Sequence, residues 1–225
     1  MEISPFYDKK FDCINCKEKF TSTKIRSRFI RIAEHESDFR TLYKQPEVNP
    51  IYYTVTVCPH CGFSFTDEFS PYFAPSTKDI IHEQITAKWT GRSFGNIRTP
   101  DEAIETYKLA FLSASLKKEN ALTKAGLALR IAWLYREIAN VEHEQRFLTI
   151  ARDLYTEAYS EGDYKGTQMS ETRVLYLLAE LSWRISDREE AVRSFSRVIE
   201  GQRLSNEPHI VQMAKERWQE IRELT

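Results

Sequence analysis

Glycine is scarce in this sequence, with only 7 in 225 residues. Glycine-rich nucleotide-binding loops of the G-x-G-x-x-G kind are therefore excluded. No apolar run approaches the roughly 18 residues that a membrane helix needs, so we expect no membrane partner. The opening segment, MEISPFYDKKFDC, lacks the apolar stretch of a signal peptide. These absences predict a cytoplasmic protein.

An excess of charge of either sign is also missing. Lys and Arg number 32 against 33 for Asp and Glu, which gives a net charge of -1. A protein held to nucleic acid by its bulk charge is therefore not expected, although a local basic face is compatible with this balance. Hydrophobic residues make up 41% of the chain, which is enough apolar side chain to predict a folded core.

The chain divides into two parts of different composition. All four cysteines lie in the first part and all four tryptophans in the second. Pro71 and Pro75 oppose a continuous helix or strand at the junction. We predict a metal-binding module over residues 1–75 and a helical domain over residues 76–225. The predicted fold class is mainly α, with a small β or α+β module at the N-terminus.

The first part predicts short strands and turns. β-branched and aromatic residues are frequent at residues 28–32 and 52–57, and we predict a strand at each. The prolines of residues 46–50 predict a loop between them.

The second part predicts about seven helices, because apolar residues recur there at three- and four-residue spacing. Ser76 is predicted to cap the first helix, and Thr99 the second, where Pro100 and Glu102 complete a strong start signal. Asp187 is predicted to cap the sixth. The predicted helices begin near residues 76, 99, 120, 142, 168, 187 and 206.

Small residues in these helices follow the pattern of tetratricopeptide repeats, in which two helices cross at small side chains. Ala179 and Ala191 stand twelve residues apart, Phe195 follows four residues later, and Ala103 with Tyr107 resembles the second helix of a repeat. The 88 residues from Ala103 to Ala191 are not a multiple of 34, so we predict an irregular stack. A plain helical bundle is the alternative, and in either case we expect most of the tryptophans in the core.

The sharpest chemical signal is a pair of C-x-x-C motifs, formed by Cys13 with Cys16 and by Cys58 with Cys61. Each motif places two sulfurs on one side of a tight turn, and two such turns supply four ligands for a tetrahedral ion. Gly62 allows the backbone to turn beneath the second pair. We predict a structural zinc ion, because four protein ligands leave no position for a reacting water molecule.

The spacing leaves alternatives to zinc open. Between Cys16 and Cys58 lie 41 residues, against about 15–20 in the simple double C-x-x-C pattern, which implies an insertion within residues 17–50. A redox dithiol is less favoured, since its usual βαβ context is missing. Iron suits the same four thiolates, but no electron-transfer motif accompanies them. His60 is predicted to be exposed and not a ligand.

The order of these features resembles an uncharacterised family of bacterial proteins that joins an N-terminal double C-x-x-C module to tetratricopeptide-like helices. The resemblance rests on residues 13–16, on Asp38-Phe39 with Tyr43, and on residues 49–63. It covers the first third of the chain closely and the remainder loosely. It implies a bacterial, cytoplasmic protein with a metal, and it supplies no activity.

Three classes of function follow from these patterns. An interaction protein is favoured, because stacked helix pairs expose a groove that suits a protein partner. The alternative is nucleic-acid binding through the basic segment from Lys17 to Arg31, where aromatic residues are interleaved. No metalloprotease, P-loop or nucleophile-elbow motif is present, so no catalytic residue is predicted. Asp38 and Tyr43 are the polar positions worth inspecting, and the sequence indicates neither the partner nor the oligomeric state.

Overall fold

The structure, a computed structural model, describes residues 3–203 and 205–223. Three antiparallel hairpins come first: β1 (Phe6–Asp12) with β2 (Lys19–Ile25), β3 (Ile32–His35) with β4 (Thr41–Tyr43), and β5 (Thr56–Val57) with β6 (Ser64–Phe65). The helices then follow in order: α1 (Thr77–Gln84), α2 (Pro100–Lys117), α3 (Ala121–Glu137), α4 (Val141–Glu161), α5 (Glu171–Arg184), α6 (Arg188–Glu200) and α7 (Pro208–Glu223). The predicted fold class is therefore confirmed.

The strand predicted at residues 52–57 is mostly wrong. A 3-10 helix occupies Pro50–Tyr53, and only Thr56–Val57 is extended. The side chain of Asn49 accepts a hydrogen bond from the N–H of Ile51 and so starts the 3-10 helix, with Pro50 at its first position. Local turn chemistry thus outweighs the β propensity of the aromatic residues that follow.

The strand predicted at residues 28–32 is also largely wrong, since a 3-10 helix spans Ser27–Phe29 and β3 begins only at Ile32. The main ribbon of the N-terminal part, β1 with β2, was not predicted. Its strands are joined by the first C-x-x-C turn, and Phe11 lies opposite Phe20 across them.

The helix starts show where local signals suffice. Thr99 and Glu102 form the predicted capping box on α2, with both reciprocal hydrogen bonds present. Asp187 likewise accepts from the N–H of Glu190 at the start of α6. The cap predicted at Ser76 is wrong, because that residue takes a left-handed φ of 66° and makes no side-chain cap bond.

The helices pack in serial order. α3 packs most extensively on α4, α4 packs on α5, α5 on α6 and α6 on α7. The predicted crossing residues Ala103, Ala179 and Ala191 are fully buried. All four tryptophans pack against the core with part of the ring exposed. The tetratricopeptide-like assignment stays a prediction.

One hydrophobic cluster runs from Cys13 to Leu181 and so crosses the junction between the two parts. Phe63, which directly follows the second C-x-x-C motif and its glycine, is fully buried. The N–H of Ser64 donates to the hydroxyl of Ser113 on α2 (3.2 Å). The N-terminal part therefore shares its apolar core with α2, while the division at residue 75 stays a prediction.

Arg98 is buried just before α2 and contacts the N-terminal part through backbone carbonyls. Its guanidinium donates to the carbonyls of Phe94, Tyr52 and Val55, each at 2.8 Å. Burial lowers the pKa of Arg98 to about 10, which leaves it charged at neutral pH. One buried cation thus ties the chain before α2 to the segment leading into the second C-x-x-C turn.

None of the helices within residues 3–203 and 205–223 combines the length and the apolar composition that crossing a membrane requires.

Candidate metal centre

The two C-x-x-C motifs form loops of the same backbone design. In each loop, the residue after the second cysteine turns back and donates its N–H to the carbonyl of the first cysteine: Lys17 to Cys13 (3.0 Å) and Gly62 to Cys58 (2.9 Å). Both turning residues take a left-handed φ, 68° at Lys17 and 72° at Gly62. The two loops therefore make the same turn, with Lys17 at the turning position of the first loop and Gly62 at that of the second.

The loops bring the four predicted ligands together. The sulfurs of Cys13 and Cys61 lie 3.7 Å apart, as do those of Cys16 and Cys58. All four sulfurs lie within 4.8 Å of one another. Zinc–sulfur bonds of about 2.3 Å in a tetrahedron would place sulfurs about 3.8 Å apart. The donor set and its spacing therefore fit a metal ion of this size.

The surroundings of the sulfurs favour a cation between them. Cys13, Cys58 and Cys61 are buried and Cys16 is half-buried. The hydrogen bonds from Cys13 and Cys58 lower the pKa of the Cys61 thiol, while hydrogen bonding to Cys58 and Cys61 raises the pKa of Cys13. Four thiolates at this spacing repel one another, so full deprotonation needs a positive ion at the centre.

The redox alternative has less support from this geometry. All four cysteines are free, and the 3.7 Å sulfur separations exceed the roughly 2.05 Å of a disulfide bond. The first loop joins β1 to β2 and the second joins β5 to β6, whereas a thioredoxin-like pair stands at the start of a helix.

Trp89 covers the second loop from outside. Its indole N–H donates to the carbonyl of Pro59 (2.9 Å). A Cβ added at Gly62 would lie 2.5 Å from the Trp89 ring. Two features of the structure thus require glycine at position 62: the left-handed backbone conformation and the close approach of the Trp89 indole. Trp89 lies beyond α1, which ends at Gln84.

Gly62→Ala is expected to destabilise the protein by about 2–5 kcal/mol, since a left-handed alanine costs about 1–2 kcal/mol and the overlap with Trp89 adds about 1–3 kcal/mol. Gly91→Ala is the matched control, because Gly91 has a φ of 75° and nothing within 4 Å of an added Cβ. Urea unfolding of both variants measures the difference. Equal losses in the two variants would contradict the packing role of Trp89.

The other residues singled out from the sequence lie elsewhere. His60 is exposed, as predicted. Asp38 is fully buried, and its carboxylate contacts Arg136 and Trp133 of α3. Tyr43 lines a recess of about 150 Å³, which Trp133 also lines. The sequence analysis did not single out Asn15, which donates to the Cys61 sulfur (3.7 Å). It marked Lys17 only as part of the basic segment and missed that Lys17 stands at the position that Gly62 holds in the second motif.

The basic segment from Lys17 to Arg31 is only partly available to a ligand. Lys24 is turned inward, where its ammonium donates to the carbonyl of Tyr53, and burial lowers its pKa to about 8. Lys17 donates to the carbonyl of its own loop at Ile14 (3.0 Å). The exposed cations of the segment are Lys17, Lys19, Arg26, Arg28 and Arg31.

Comparison with known proteins gives a family and no activity. The family model described as "Uncharacterized protein conserved in bacteria (DUF2225)" matches residues 6–221. An "Uncharacterized protein" of Borreliella burgdorferi (strain B31) is 26% identical over 173 residues. That match covers 70% of this chain and 62% of the relative, so the chain spans less than two thirds of the relative's length. No solved structure matches the chain.

Proposed function

The chain belongs to this family of uncharacterised bacterial proteins, as the sequence indicated, and from that premise we propose that it is a metal-stabilised interaction protein. A structural zinc ion would be held by Cys13, Cys16, Cys58 and Cys61, and a helical surface would receive a protein partner. The observation that carries the proposal is the mutual approach of the four sulfurs to within 4.8 Å.

Zinc at this position would act on folding and not on a substrate. When bound, the ion supplies four metal–thiolate bonds that hold two distant loops together. Asn15 and the Trp89 bond to Pro59 would fix the loops around it. With four thiolates as ligands, no open coordination position remains for catalysis.

Side chains of alternate helices converge on one face, which supports a partner-binding role. Arg136 of α3 and Arg184 of α5 both contact Asp38. Arg184 and Arg217 of α7 both contact Glu180. We name this surface, built from α3, α5 and α7, the alternate-helix face. Stacked helix pairs use such a shared face to bind peptides.

Partner capture from the native bacterium tests the interaction role. Arg173→Glu on α5 reverses a charge on the alternate-helix face and breaks the ion pair of Arg173 with Glu207 (2.8 Å). Arg193→Glu on α6 is the control, since its side chain is half exposed and the change breaks its ion pairs with Glu189 and Glu190. We expect a protein, identified by mass spectrometry, that the wild-type chain and Arg193→Glu retain and Arg173→Glu loses. Equal capture by all three would contradict the proposal.

Nucleic-acid binding remains the second candidate. Arg26 lies over the ring of Tyr7 (5.0 Å) and Arg28 over that of Phe29 (4.9 Å), an arrangement able to contact phosphate and base together. The same capture experiment decides it. Nucleic acid that co-purifies and is released steeply as salt rises would favour this function instead.

A further inference from the structure

The turn between β3 and β4 is docked on the alternate-helix face. This hairpin tip, residues 36–40, is held by its own backbone: the N–H of Phe39 donates to the carbonyl of Glu36 (2.9 Å), and the N–H of Glu36 donates to that of Arg40 (2.8 Å). Phe39 takes a left-handed φ of 67°. The hairpin tip is therefore a preformed turn that contacts the helices through its side chains.

Asp38 is the buried end of this contact. Its carboxylate accepts from the indole N–H of Trp133 (3.0 Å) and from the guanidinium of Arg136 (2.8 Å). Arg184 lies 3.6 Å away on the other side. Burial alone would raise the pKa of Asp38, but the Arg136 hydrogen bond and the charge of Arg184 outweigh it and lower the pKa. The face thus recognises an ionised carboxylate.

The neighbours of Asp38 fill adjoining positions. The hydroxyl of Ser37 donates to Glu180 (2.7 Å) and accepts from Arg184 (2.9 Å). The ring of Phe39 lies 5.1 Å from that of Tyr176, with Arg173 5.4 Å from it. A hydroxyl, a carboxylate and an aromatic ring, borne on three successive residues, are contacted by side chains of α3 and α5, and Arg184 contacts the first two.

Arg136 and Arg184 keep a carboxylate partner without the hairpin tip. Arg136 also donates to Glu144 of α4 (2.6 Å), and Arg184 to Glu180 of its own helix (2.8 Å). Departure of the hairpin tip would free donors of Arg136, Arg184 and Trp133, and it would also remove the Arg40 partner of Glu137. The part of the face that Asp38 and Phe39 occupy is basic and aromatic, which complements an acidic and aromatic ligand.

The hairpin that carries the tip adds little else to the core. All four residues of β3 are exposed, and β4 is only half-buried. Within the described residues β3 pairs with β4 alone. Asp38 is the fully buried side chain of the hairpin. The attraction within a buried ion pair is largely offset by the loss of hydration. The hairpin tip can therefore leave the helices more readily than it could if an apolar side chain filled the position of Asp38.

We infer that the alternate-helix face is a binding site for a tight turn of a partner protein bearing an acidic residue followed by an aromatic one, and that the hairpin tip occupies this site as an internal ligand. The inference rests on the proposed interaction role and specifies its partner. The partner competes with residues 36–40 for the same site. Its apparent affinity is therefore its intrinsic affinity multiplied by the fraction of molecules in which the hairpin tip has left the site.

A peptide that copies the hairpin tests this exchange on the full chain. The probe is a fluorescent synthetic peptide of residues 32–43, beside the same peptide with Asp38→Ala. The opened protein variant is Asp38→Ala/Phe39→Ala. Its matched control is Ile32→Ala/Glu34→Ala, which changes two exposed residues of the same hairpin.

We expect the opened variant to bind the peptide at least tenfold more tightly than the wild-type chain and the control variant do. The peptide with Asp38→Ala should bind all three proteins equally weakly. In the wild-type chain, millimolar peptide should raise the hydrogen exchange of residues 32–43. A folded opened variant that does not bind overturns the inference. If that variant fails to fold, unchanged exchange in the wild-type chain overturns it instead.

These measurements use purified protein and a defined peptide, so they separate the two proposals. Failure of peptide binding removes the internal ligand and leaves partner capture to be judged by Arg173→Glu. Failure of that capture, with peptide binding intact, would instead remove the interaction role in the cell.

Discussion

Replacing both Cys58 and Cys61 with serine is expected to abolish metal binding and to unfold the N-terminal part. The wild-type chain should carry a single zinc ion by elemental analysis and the double variant none. Zinc contributes on the order of 10 kcal/mol to the folding of small modules, which is comparable to the whole stability of a domain, about 5–15 kcal/mol. Few other single features of the chain carry an effect of this size.

Hydrogen exchange should locate the damage. Residues 6–73 are expected to lose protection, because β5 and β6 flank the second loop and Phe63 is buried directly after it. α2 should be weakened, since it packs on β5 and β6. The region around α6 and α7 should remain protected, because it belongs to a second hydrophobic cluster.

His60→Ala is the control within the same loop, since His60 is exposed. It should keep its zinc and its protection pattern. A chelator should reproduce the effect of the cysteine variant in the wild-type chain. Full zinc content in the double variant, or an unchanged exchange map after chelation, would contradict a structural metal.

The sequence predicts the sulfur cluster well because each C-x-x-C motif is a local turn with its ligands already adjacent. It also predicts α2 and α6 well, since Thr99 and Asp187 act on residues three positions away. The stretch at residues 52–57 was predicted poorly, because a cap at Asn49 overrides the propensity of the residues after it.

Apart from the paired cysteine motifs, contacts between single residues far apart in the chain could not be predicted. The bond from Arg136 to Asp38 spans 98 residues, and that from Arg98 to Tyr52 spans 46. A single arginine or aspartate carries no mark of burial, and on average such residues are exposed. The docked hairpin tip therefore emerged only from the tertiary structure, although Asp38 had been singled out for inspection.

Arg98→Met is expected to cost about 3–9 kcal/mol, because it leaves three buried carbonyls without donors and each unsatisfied group costs about 1–3 kcal/mol. Those carbonyls belong to Phe94, Tyr52 and Val55. Methionine fills a similar volume, so the loss reports the hydrogen bonds more than a cavity. For a chain of this length, in which 1 kcal/mol shifts the midpoint of thermal unfolding by about 2–4 °C, the midpoint should fall by about 6–36 °C.

Arg92→Met is the matched control six residues earlier. The Arg92 side chain is 51% exposed and pairs with Glu105 at 2.6 Å, and exposed ion pairs contribute about 0–1 kcal/mol. Arg98→Lys should recover only part of the loss, since an ammonium lacks the fork that reaches carbonyls on two sides. Urea unfolding measures the free energy of unfolding of each variant. A difference of less than about 1 kcal/mol between Arg98→Met and Arg92→Met, the size of an exposed ion pair, would contradict a role of the buried guanidinium in joining the chain before α2 to the segment that leads into the second C-x-x-C turn.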